Sequence, residues 1–79
     1  MNKAELTEKL INEHEKVNER LNYHLGKLLT PKSIAERDLH EKMKIKYELE
    51  QSQIMQWLNC LTDDNADEIN NEFDNSKKI

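Results

Sequence analysis

The sequence predicts an all-α fold, an antiparallel, coiled-coil-like hairpin of two long helices that dimerises into a four-helix bundle and carries a flexible acidic C-terminal tail. Three observations lead there. The composition, 35% charged with one Gly and one Pro, suits long exposed helices, because a sandwich or barrel needs many turns. Apolar residues recur at helical spacing in two long segments. A single break, at Pro31, separates the two segments.

From residue 2 to 29, Leu6, Leu10, Ile11, Val17, Leu21, Leu25, Leu28 and Leu29 recur at spacings of three, four and seven. At 100° per residue they form one stripe, so the segment reads as one amphipathic helix, weakened locally by Gly26. The next stretch, LLTPKSIAER, turns the chain at residues 30–33. Pro31 disfavours helical geometry at Thr30 and suits the first turn of a new helix, and Ser33 with Glu36 three residues on is a capping-box pattern.

Residues 34–61 hold no Gly or Pro, and Leu39, Met43, Tyr47, Ile54, Trp57, Leu58 and Leu61 follow a second 3.6-residue stripe. Within it KMKIKYEL alternates charged and apolar residues as a strand would. A strand needs a partner to satisfy its backbone, and no other segment alternates comparably, so the helix is the expected form. The hairpin therefore spans residues 1–62. Residues 63–79 form an acidic tail, either disordered or a short helix through Ala66 to Phe73 with Ile69 and Phe73 as its apolar face.

Charge supports this division. Residues 1–62 carry ten acids and ten bases, whereas residues 63–79 carry six acids and two bases and so hold the whole net charge of −4. No apolar run exceeds two residues and MNKAELTEK has no apolar segment behind its charges, so neither a membrane span nor a secretory signal is expected and the location is read as cytoplasmic. Cys60 is the lone cysteine; it excludes an intrachain disulfide and reads as a small apolar residue. Ten Lys against two Arg, with nine Asn, point to an AT-rich coding sequence, as in a low-GC bacterium or its mobile elements.

Two helices of this length would each be roughly 40 Å long, and a four-residue connection favours an antiparallel pair. If the turn centres on residue 32, facing positions sum to about 64. Leu10 then meets Ile54, Val17 meets Tyr47, Leu21 meets Met43 and Leu25 meets Leu39. The same register sets His14 beside Glu50, a charged pair that would specify register more than stability. It also sets His24 opposite His40, with Glu36 one turn earlier. Two imidazoles and a carboxylate are the donor types that bind zinc-like ions, but the signal is weak because it rests on an inferred register and a His at a seam edge is usually a half-buried polar residue, so no bound metal or other cofactor is expected.

With KMKIKYEL helical, Met43 and Tyr47 point into the hairpin while Ile45 and Leu49 point nearly the opposite way. Ile34 and Cys60 extend that rear face. A short hairpin lacks core, so a second copy packing on Ile34, Ile45, Leu49 and Cys60 is the expected dimer interface.

No Gly-rich phosphate loop, paired-cysteine motif, HExxH helix or nucleophile elbow occurs, and a helical hairpin offers little depth for a reacting group, so no enzyme is expected. Arg37, Lys42, Lys44 and Lys46 cluster, but a helix sends Lys44 away from Lys42 and Lys46, and Asp38, Glu41 and Glu48 interleave. Direct nucleic-acid binding is therefore not expected. The expectation is a non-enzymatic protein–protein interaction module, a small bacterial or phage-type regulator or inhibitor acting sterically. The tail would contribute a partner contact through Ile69 and Phe73 as apolar anchors, with Asp63 and Asp64 as charges. A structural or scaffold helical bundle is the alternative, with a nucleic-acid-associated regulator behind it.

Overall fold

The computed structural model describes residues 1–77. It contains α1 (Lys3–Leu29), α2 (Ile34–Cys60) and α3 (Ala66–Ser76). No strand occurs among the described residues, and KMKIKYEL lies wholly within α2. α1 and α2 pack as a hairpin in a molecule 49 Å long.

Each helix start has a local cause. The Asn2 side chain accepts a hydrogen bond from Glu5 N at 2.8 Å and caps α1. The Ser33 hydroxyl oxygen accepts from Glu36 N at 3.1 Å and caps α2, as the capping pattern predicts. Such caps satisfy donors that a helix leaves unpaired at its first turn. Thr62 and Asn65 bracket the turn into α3: Thr62 N donates to Asn65 Oδ1 at 2.7 Å, Asn65 N donates to Thr62 Oγ1 at 3.3 Å, and Asn65 Nδ2 donates to Cys60 O at 2.9 Å. The polar stretch TDDN is thus an ordered turn, held by side-chain to backbone bonds of the kind Thr and Asn favour.

That turn leads into a short helix, one of the two forms expected of the C-terminal segment, and corrects only its reading as a flexible tail. Residues 66–76 are helical and return along the hairpin, with Ala66 fully buried, Ile69 5% exposed and Phe73 6% exposed. These three join Leu6, Leu10, Val17, Ile54, Trp57 and Leu61 in one core, with Tyr47 and Leu58 packed at its edge. Phe73 meets Trp57 edge-on, ring centroids 5.9 Å apart. The apolar set of α3 starts one turn earlier than Ile69, at Ala66. The additional burial explains why the acidic segment docks at all: a short chain gains core by folding its end back onto an otherwise two-layer hairpin.

Polar contacts fix the register of α3. Lys9 Nζ donates to Asn70 Oδ1 at 2.7 Å and pairs with Asp74 Oδ1 at 2.9 Å while lying over the Phe73 ring. Trp57 Nε1 donates to Glu72 Oε2 at 3.0 Å. Lys77 pairs with Glu13, and the Met1 amino group pairs with Asp67 Oδ1 at 2.7 Å. Surface ion pairs such as these contribute little, because solvent screens them. The apolar contacts therefore supply most of the attachment, and the charges choose its position.

The core is concentrated at the open end of the hairpin. Toward the turn, Leu21 is buried and Met43 half-buried, but Leu25 is 37% and Leu39 56% exposed. The expected Leu25–Leu39 contact is therefore incorrect. His24 and His40 occupy the seam there, and Leu25 and Leu39, each one residue along, are rotated about 100° out of it.

Candidate functional site

The residues singled out in the sequence fall in three places. The first is the seam near the turn, where His24 Nδ1 and His40 Nδ1 lie 2.7 Å apart, within hydrogen-bonding distance. Their positions match the expected register. His40 is 7% exposed and is the one buried polar residue among the described residues. Glu36 Oε1 lies 3.7 Å from the other His40 nitrogen, Nε2. Tyr47 stacks on His24 at 5.6 Å between centroids, and Tyr23 contacts both imidazoles edge-on at 5.0 and 6.2 Å. Partial burial, with the neighbouring His40 adding to it, holds the His24 imidazole below its ordinary pKa of 6.5.

This arrangement is not a converging ligand set. Two nitrogens on one tetrahedral zinc stand about 3.3 Å apart, from bonds of about 2.0–2.1 Å; 2.7 Å is a hydrogen bond. Glu36 addresses Nε2 of His40, whereas His24 addresses Nδ1, so the carboxylate and the second imidazole lie on opposite edges of one ring. No group of three or more His, Cys, Asp or Glu among the described residues is placed to hold a metal ion. The chemistry available is proton sharing between Nδ1 of His24 and Nδ1 of His40. The two tyrosines were missed from the sequence, although the seven-residue spacing from His40 to Tyr47 sets them on one stripe and Tyr23 is adjacent to His24.

The second place is the rear of α2. Ile34, Ile45 and Leu49 are 76%, 58% and 66% exposed and share the face turned away from Met43, Tyr47 and Ile54. Cys60 is a free, exposed thiol at the end of the same helix, its Sγ 3.6 Å from Trp57 O. The basic residues form no strip along this helix: Lys44 pairs with Glu48 at 3.6 Å and Arg37 with Glu41 at 4.0 Å, each one helical turn away.

The third place is the flank between α1, α2 and α3. Glu50 lines a groove there with Glu13, Val17, Ile54, Trp57 and Phe73. His14 does not join it. Asn18, one turn beyond His14, bonds Gln51 Nε2 at 3.1 Å on the other flank of the seam, and no hydrogen bond or ion pair joins His14 to Glu50 among the described residues. The proposed pairing is incorrect because equal seam height does not mean equal flank: residues 14 and 50 are displaced to opposite sides of the two facing stripes.

Ile69 and Phe73, expected as anchors for a partner, are instead core of this chain. Asp63 is committed locally, its Oδ1 accepting from Lys3 N at 2.8 Å beside the Asn2 cap of α1. Asp64 is exposed. No family model, curated protein or solved structure matches the chain.

Proposed function

We propose that the protein is a non-enzymatic protein-interaction module that works sterically through the rear face of α2. The observation carrying this reading is the exposure of Ile34, Ile45 and Leu49 on one side of a helix whose other side already supplies the core. Scattered exposed apolar side chains are ordinary. Here three β- or γ-branched residues lie along about 22 Å of one stripe, from residue 34 to residue 49 at 1.5 Å per residue, and α3 covers a different flank. Self-association through this face, two hairpins each supplying what the other lacks, is the simplest assembly. A regulatory partner protein would use the same face.

The test is sedimentation of the full chain over a wide concentration range, beside an Ile45→Glu, Leu49→Glu double variant. A concentration-dependent dimer that the variant abolishes without loss of helicity supports the reading. A wild-type chain that stays monomeric at the highest concentration refutes self-association, and unchanged capture of any native partner by the variant removes the rear face from consideration.

A further inference from the structure

We infer that the His24–His40 pair is a proton-limited latch on the turn end of the hairpin, which closes with a net charge of zero or one and opens with two. The inference comes from counting protons on the ring nitrogens. Two neutral imidazoles carry two protons on four nitrogens, a singly charged pair carries three, and a doubly charged pair carries four. A bond between the two Nδ1 atoms needs a proton on one and a lone pair on the other. Both the neutral and singly charged states meet this condition, while the doubly charged state sets N–H against N–H at the 2.7 Å separation.

Either ring can hold the shared proton, and Glu36 Oε1 stands 3.7 Å from Nε2 of His40, at the ring nitrogen that does not face His24. Around His24 the contacts are rings: Tyr47 stacked and Tyr23 edge-on. Lys46 lies over Tyr47 and Lys27 over Tyr23. Desolvation, and then the neighbouring His40, disfavour a positive charge on His24. α3 packs at the far end, so the neighbours come from α1 and α2 alone.

The latch has a mechanical consequence because the turn end is short of apolar contacts. Leu25 and Leu39 lie outside the seam, so the two imidazoles close it together with the buried Leu21 and half-buried Met43. Opening should therefore be local, with the core around Trp57 retained.

The sign follows from His24 being held below 6.5. A histidine disfavoured as a cation in the folded state contributes full stability above its unfolded pKa and loses it as pH falls through its folded value. In that interval the unfolded chain binds one more proton, so the unfolding constant rises about tenfold per pH unit of acidification.

The experiment follows both imidazoles by nitrogen-15 NMR in the full chain from about pH 8 to about pH 4, with amide exchange and urea unfolding at each pH. Wild type should take up one proton with the Nδ1 to Nδ1 bond intact, then lose amide protection around residues 21–28 and 36–43 on the second, while Trp57 fluorescence stays native. His24→Gln, which can still hydrogen-bond His40, should lose the tenfold-per-unit component. Independent titration of both rings near 6.5 with unchanged protection overturns the latch, as does unaltered pH dependence in His24→Gln. Zinc chloride provides the competing arm: stabilisation of wild type by zinc that both His24→Gln and His40→Gln abolish would reassign the pair to a metal.

Discussion

Phe73→Ala separates a docked third helix from a solvated acidic tail by magnitude alone. Phe73 is 6% exposed, contacts Trp57 edge-on, and lies beneath the Lys9 and Lys77 ammoniums. Truncating a buried Phe loses the transfer of the ring and leaves a cavity, together about 3–5 kcal/mol. A residue in a loose tail would change stability by no more than about 0.5 kcal/mol. For 79 residues, total stability is about 4–12 kcal/mol at 0.05–0.15 kcal/mol per residue, so the variant should lose a quarter or more of it. The midpoint of thermal unfolding should fall by at least roughly 12 °C, taking about 4 °C per kcal/mol as the lower bound for a domain of this size. Urea unfolding read by circular dichroism and by Trp57 fluorescence measures the change with two probes. A loss under about 1 kcal/mol, with the two probes coincident, would refute the packing of α3 described above.

Three further variants probe separate parts of the fold. Gly26→Ala should stabilise by about 0.5–1 kcal/mol, because Gly26 lies in an exposed helix interior with nothing within 4 Å of an added Cβ; a destabilised variant in thermal melts would contradict that environment. Ser33→Ala should cost about 1 kcal/mol through loss of the α2 cap, measured by urea unfolding, and no change would mean the cap is replaced by water at no cost. Leu10→Ala, at a fully buried position, should cost about 2–5 kcal/mol, whereas Leu25→Ala at the turn should cost much less. Equal losses at the two sites would restore the Leu25–Leu39 seam that the structure rejects.

Amino-acid order alone determined the helices. The 3.6-residue stripes, Pro31 and the Ser33 cap are local signals, and local signals suffice to define where two long helices begin, end and turn back. They also placed His24 opposite His40, since that pair lies close to the turn, where an error in register has least length over which to accumulate. The tertiary structure decided what the flanks do. Whether Leu25 and Leu39 point in or out, and whether His14 meets Glu50, depends on the rotation of each helix about its axis, which a linear pattern fixes only to within about one residue, or 100°. The fate of the C-terminal segment was equally non-local. Ala66, Ile69 and Phe73 are too few for an independent helix of that length to be stable. They are helical because the hairpin supplies Trp57, Leu6 and Leu10 to bury them against, and because Lys9, Glu13 and Trp57 supply partners for a segment whose own text is mostly acid and amide.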